Sequence, residues 1–129
     1  VEKRRYNFNR LYEGLKGVQD QFILPQPCEH SNPSWFGFML TCKEGMERSK
    51  VVPFIESKGI QTRMLFAGNL IKHPCFDEMR QSGTGYRVVG RLENTDKIMQ
   101  DTFWIGVYPG MTDEMLDYMV KVIKEAAQK

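Results

Sequence analysis

Apolar positions near the start of the chain recur at spacings of three and four: Phe8, Leu11, Tyr12, Leu15, Val18 and Phe22. That spacing places side chains on one face of a helix and predicts a first helix over Lys3–Asp20. Pro25, Pro27 and Pro33 then impose an extended connector, because proline lacks the amide donor of regular structure. Trp35–Cys42 (WFGFMLTC) is aromatic-rich and reads as a strand, and Lys43-Glu44-Gly45 turns the chain. A second helix is predicted over Arg48–Lys58, with Val51, Val52, Phe54 and Ile55 inward and Gly59 as its stop. Pro53 must then sit in the first turn or kink that helix. Ile60–Phe66 is the next strand and Ala67–Gly85 is loop, with a helical turn near Phe76–Arg80. Tyr86–Arg91 (YRVVGR) reads as a short strand, Asn94–Gln100 as a short helix capped by Asn94 or Thr95, and Thr102–Tyr108 as a strong strand. After Pro109-Gly110, Thr112 is a good cap for a last helix that sets Met115, Leu116, Met119, Ile123 and Ala127 on one side. The order gives an α+β layer, a short sheet covered by helices.

Composition narrows this little. The chain has 129 residues, enough for one domain with a core. Its net charge of +2, from eighteen basic and sixteen acidic residues, is too even to propose nucleic acid as a partner. The cluster Lys3-Arg4-Arg5 reads as a solvated helix face. No apolar run approaches the ~18 residues of a membrane span. Cys28, Cys42 and Cys75 are widely spaced, with no CxxC pair, and read as free thiols of a reducing cytoplasm rather than as metal ligands. The chain begins at Val1 already in helical pattern, with no capping signal before it. It is expected to be a piece of a longer protein, cut inside or just before a helix.

The candidate chemistry lies in GIQTRMLFAGNLIKHP, Gly59 to Pro74. A cation, an amide and an imidazole close to a strand end suit recognition of a polar, anionic small molecule. Arg63 can grip a phosphate or carbonyl oxygen with two parallel hydrogen bonds; its alternative is a salt bridge to Glu56. Asn69 after Gly68 can present an amide to a sugar hydroxyl, or be a turn residue in a left-handed conformation. His73 before Pro74 can be a hydrogen-bond partner or proton shuttle, or cap backbone. Phe36 and Phe38 share one face by alternation and either wall a ring-shaped ligand or belong to the core. Lys97 either reaches an anionic ligand or is solvated; Arg87 and Arg91 are weaker candidates. The stripe Met111, Met115, Met119 reads as packing.

Four runs together resemble one family: SWFGF at Ser34–Phe38, GIQTRMLFAGNLIKHP at Gly59–Pro74, YRVVG at Tyr86–Gly90 and NTDKIMQDTFWIGVYPGMTDEMLDYM from Asn94 to Met119. They look like the C-terminal small domain of the CDP-4-keto-6-deoxyglucose 3-dehydratases, in the DegT/DnrJ/StrS group of the aspartate-aminotransferase fold. The resemblance implies the small domain of a fold-type I pyridoxal phosphate enzyme, spanning residues 1–129. It implies removal of the C3 hydroxyl of a CDP-4-keto-6-deoxyhexose with pyridoxamine phosphate, for the 3,6-dideoxyhexoses of lipopolysaccharide. A [2Fe-2S] cluster and an NADH-dependent iron-sulfur flavoprotein reductase would supply electrons to a cytoplasmic homodimer. Such enzymes carry a histidine where related aminotransferases carry the cofactor lysine. That histidine, the phosphate loop and the cluster cysteines belong to a large upstream domain.

On this reading the present chain has no catalytic residue and is inactive alone. It contributes Arg63, Asn69, His73, Phe36 and Lys97 to one wall of a substrate site. Three other readings stay open: the small domain of a sugar-nucleotide aminotransferase, a stand-alone sugar-nucleotide-binding module, and a structural interaction domain. Cut from the large domain, the first helix is expected to leave Phe8 and Tyr12 partly exposed, driving self-association.

Overall fold

In the computed structural model, which describes residues 1–129, helix α1 spans Glu2–Leu15 and a 3₁₀ turn, Lys16–Val18, continues it. Gly17 sits in that tighter turn, so the regular helix ends earlier than the apolar spacing implies. Phe22 is not on the helix. It lies in a two-residue strand, β1 (Phe22–Ile23), still fully buried. Its spacing from Val18 matched a helix only by coincidence of burial. Strand β2 (Gly37–Cys42) alternates half-buried and buried positions, with Phe38, Leu40 and Cys42 facing the core.

Helix α2 is Arg48–Ser57. Pro53 stands in its second turn rather than its first, on the exposed side, so the carbonyl four residues back, at Ser49, faces solvent. Strand β3 keeps only Thr62–Met64 of the predicted seven residues, and the chain then breaks into loop. Two 3₁₀ turns, Leu70–Lys72 and Pro74–Phe76, lead into helix α3 (Asp77–Ser82). Tyr86–Arg91 forms no strand: no neighbouring strand offers it hydrogen bonds, and Tyr86 to Gly90 are exposed. Helix α4 is Glu93–Asp101, and neither Asn94 nor Thr95 caps it; its N-cap is Leu92, at a left-handed φ of 57° with no side-chain bond. Strand β4 is Thr102–Gly106 and helix α5 is Asp113–Ala126. Thr112 caps α5 as expected, accepting from the Met115 amide at 3.3 Å.

The sheet has the order β1-β2-β4-β3, antiparallel throughout. The last strand in sequence therefore lies second from one edge. Phe38 pairs with Ile105 and Leu40 with Phe103, all fully buried on one face. Helices α1 and α5 pack together on that face through Leu11, Leu15, Leu116 and Ile123, with Val51 and Ile55 of α2 beside them. Each such side chain contributes ~1.5–3 kcal/mol by leaving water. Asn7, wholly buried in α1, ties that helix to the turn before α5 by donating to the Tyr108 carbonyl at 2.7 Å. Outside, Arg10 grips Asp117 with two nitrogens, and these bonds raise its already high pKa.

Helix α1 thus finds its partners within the chain. Phe8 is 6% exposed; it stacks on Trp35, with ring centroids 5.6 Å apart, and meets the Phe38 ring at a tilt with centroids 4.9 Å apart. The expected exposure of Phe8 is corrected, and Tyr12 packs partly buried against the core. Met111 and Met119 are buried as expected, but Met115 is 44% exposed; Val122 and Ala126 take the inner face instead.

Candidate functional site

The second face of the sheet, turned away from the core packing of α1, α2 and α5, meets the site residues. Arg63 of β3 is paired with Trp104 of β4, which is paired with Met39 of β2. Partners in an antiparallel ladder share a face, so the guanidinium stem and the indole stand side by side. A groove of about 510 Å³ opens there between β3, β4 and the start of α5. Arg63, Trp104, Tyr108, Met115 and Tyr118 line it.

Arg63 is exposed, and the ion pairs of the chain do not include it. Glu56, its alternative partner, instead accepts from Thr62 Oγ1 at 2.5 Å. Trp104 Nε1, buried beside the groove, likewise has no acceptor within the chain. Tyr118 is spoken for, donating its hydroxyl to the Lys58 carbonyl at 3.0 Å. The groove therefore offers apolar rings and one cation whose five donors are unengaged. It holds no carboxylate, imidazole or lysine amine that would move a proton. This arrangement can bind and orient a flat or anionic group.

The other candidates lie elsewhere. Phe36 and Phe38 do not share a face. Phe38 is core, whereas Phe36, just before β2, is 58% exposed. Phe36 lies outside the strand and meets Trp104 edge-on, with centroids 5.3 Å apart. Phe36 borders a smaller apolar hollow with Met39, Leu65, Phe66 and Trp104. Trp104 is thus the common wall between Phe36 and Arg63. Asn69 is 3% exposed and directed inward, donating from Nδ2 to Asp96 Oδ1 at 2.7 Å. Its φ of −83° is not left-handed; that role falls to Gly68 at φ 62°. The His73 ring bonds the Ala67 carbonyl and closes the loop between them. Lys97 donates to the Cys42 carbonyl at 3.2 Å and to Asp101 at 2.9 Å, on the far side of α4. Arg91 pairs with Glu93 at 3.5 Å.

Two residues of this region are absent from the sequence reading. Trp104 was legible as a strand residue, but only the register with β3 places it beside Arg63. Asp96 lies in the first turn of α4. Its carboxylate is held below the usual range by Lys72 first and Asn69 second, both bonded to it. No three His, Cys, Asp or Glu side chains converge as metal ligands. Cys42 is buried, whereas Cys28 and Cys75 are exposed.

Comparisons with known proteins agree on one family. The profile of the DegT/DnrJ/EryC1/StrS aminotransferase family matches residues 1–124. The lipopolysaccharide biosynthesis protein RfbH of Salmonella typhimurium is 50% identical over 127 residues, which are 97% of this chain and 28% of that protein. A dTDP-4-dehydro-2,6-dideoxy-D-glucose 3-dehydratase of Saccharopolyspora spinosa is 46% identical over 98% of this chain and 26% of its own length. Among solved structures, the Escherichia coli GDP-4-keto-6-deoxy-D-mannose-3-dehydratase with bound hydrated PLP superposes with a TM-score of 0.78. At 23% identity, covering 95% of this chain and 30% of that one, it shares the fold. The chain spans little more than a quarter of the length of the curated relatives it matches.

Proposed function

The chain belongs to the DegT/DnrJ/EryC1/StrS aminotransferase family, and from that premise we propose that residues 1–129 form the small C-terminal domain of a sugar-nucleotide 3-dehydratase. The substrate of the whole enzyme is a nucleotide-linked 4-keto-6-deoxyhexose, with CDP-4-keto-6-deoxyglucose as the specific assignment. The product serves dideoxysugar synthesis for lipopolysaccharide. Three supports carry this reading: two relatives near half identity over nearly the whole chain, one named for lipopolysaccharide biosynthesis and one for 3-dehydration, and an exposed, unpaired Arg63 beside an aromatic groove. The second relative's dTDP-linked substrate leaves the nucleotide to be tested.

Pyridoxal or pyridoxamine phosphate supplies the electron sink for breaking the C3–O bond. The residues present do not compose a site for it. The groove has one guanidinium and no lysine amine, carboxylate or imidazole. We place its site, the [2Fe-2S] cysteines and the histidine that replaces the aminotransferase lysine in the upstream part of the enzyme. That enzyme is read as a cytoplasmic homodimer served by an NADH-dependent iron-sulfur flavoprotein reductase. The isolated chain is read as inactive. Its own role is to orient: Arg63 takes an anionic or carbonyl oxygen, Phe36 and Trp104 bound the apolar side, and the loop carrying Asn69 and His73 shapes the rim. Lys97, held by Cys42 and Asp101, steadies α4 behind that rim.

The test uses the full-length enzyme. Arg63→Ala is expected to raise KM for the CDP-ketosugar at least tenfold, matching the loss of a charge-assisted pair. Arg63→Lys should recover part of it, since an ammonium keeps the charge and loses the fork. Unchanged kinetics in Arg63→Ala would remove this assignment.

A further inference from the structure

The loop that leaves Arg63 is built from conformations that do not hold themselves. Phe66 lies at φ 47°, in the left-handed region that is unfavourable for a bulky residue. Its ring is 75% exposed and returns little packing. Gly68 follows at φ 62°, and a β-carbon there would meet Met99 Cγ at 2.4 Å. Something outside the loop has to define it.

Helix α4 supplies that support through one carboxylate. Asp96 accepts from Asn69 Nδ2 at 2.7 Å on one oxygen and from Lys72 Nζ at 2.8 Å on the other. The Asn69 amide also points at Met99 Sδ, 3.3 Å away. The helix in turn is fixed, at its junction with β4, to the start of α2. Arg48 Nη1 donates to the Met99 carbonyl at 2.6 Å and to the Thr102 carbonyl at 2.9 Å. A set of bonds thus runs from the start of α2 and of β4, through α4 and Asp96, to both sides of the 3₁₀ turn at Leu70–Lys72.

We propose that Asp96 is a positioning residue for substrate: by holding Asn69 and Lys72 together it fixes the loop 65–73 beside Arg63, and so sets the shape of the binding rim without touching substrate. The inference rests on the proposed function above, because it needs the rim to be a substrate surface. It also changes the part played by Asn69, which acts through Asp96 rather than by contact with a sugar hydroxyl.

The full-length enzyme tests it with Asp96→Ala, Asp96→Asn, Asn69→Ala and the double variant Asn69→Ala/Asp96→Ala. Asp96→Ala should raise KM about tenfold, with kcat changed less than threefold, as expected when a preformed surface is lost rather than a reacting group. Asp96→Asn keeps an acceptor for Asn69 and should recover most of that loss. Asn69→Ala breaks the same bond from the loop side and decides the matter if Asp96→Ala does not fold: a raised KM supports the proposal and a wild-type KM overturns it. The double variant should be no worse than either single one, because both break one unit. A wild-type KM in Asp96→Ala and Asp96→Asn, or losses that multiply in the double variant, overturns the proposal. If Arg63→Ala is impaired while the Asp96 variants are not, this inference alone fails. An unimpaired Arg63→Ala removes the reading beneath it.

Discussion

A β-carbon built on Gly37 would lie 2.6 Å from the ring of Trp104. The close approach is what lets the indole lie down across β2 and stand between Arg63 and Phe36. Gly37→Ala is therefore expected to push the ring off the strand and destabilise the protein by ~1–3 kcal/mol, the usual cost of overpacking. Thermal unfolding measures the loss, and the tryptophan emission spectrum reports the displaced indole. An unchanged spectrum with unchanged stability would show that the strand absorbs the methyl without moving the indole.

Gly68→Ala combines two penalties, the left-handed φ of 62° and the contact with Met99. The expected loss exceeds the ~1 kcal/mol that a φ > 0 position alone exacts from alanine. Gly45, at φ 90° with nothing within 4 Å, isolates the conformational part. Urea titrations of Gly68→Ala and Gly45→Ala, run side by side, should show the first with the larger fall in midpoint.

The Asp96 carboxylate titrates below its ordinary range because of Lys72 and then Asn69. A depressed carboxylate adds stability that is present above its ordinary pKa and is lost as pH falls through its folded value. Wild-type protein should therefore lose stability more steeply than Asp96→Asn as acid is added below the usual carboxylate range. Parallel slopes in unfolding midpoint against pH would contradict the ion pair.

Cys42 has its thiol pushed up to about 11 by burial first and Asp101 second. Here the neutral form is the one the fold prefers. Its contribution is intact below the ordinary thiol value and drains away as pH rises toward the shifted one. Iodoacetamide at mildly alkaline pH should modify Cys28 and Cys75 and spare Cys42, as peptide mass mapping of the native enzyme would show. Equal labelling of all three would mean the sheet opens readily at β2.

Thr112→Ala removes the one side-chain cap seen on a helix of this chain. Stability should fall by ~1 kcal/mol, and Thr112→Ser should restore it. Calorimetric melting temperatures of the two variants would check this.

What the linear chain disclosed follows from where its information is local. β2, β4 and α5 were readable because alternation or helical spacing runs through them uninterrupted, as in Phe38, Leu40 and Cys42. The two-residue β1 has too few positions to declare a period, so Phe22 was absorbed into the preceding helix. Val88 and Val89 carry strand propensity, but propensity makes no ladder when no partner strand comes alongside. Leu92 caps α4 from a left-handed conformation that its side chain gives no reason to expect. In the candidate site the same division holds. Arg63 stood out as a cation on an apolar run, whereas its neighbour Trp104 depended on register, and the bond from Asn69 to Asp96 spans 27 positions.

The strand order has a consequence for how the polypeptide is made. β3 bonds only to β4, and Thr41 of β2 waits for Thr102. A nascent chain leaving the ribosome can shape α1, the β1–β2 pair and α2 early. Its sheet stays unfinished until the segment after Asp101 emerges. Contacts of such long range close slowly, so a stop codon or a stall ahead of Thr102 would leave β2 and β3 with bare edges at the moment they are most prone to pair with a neighbour.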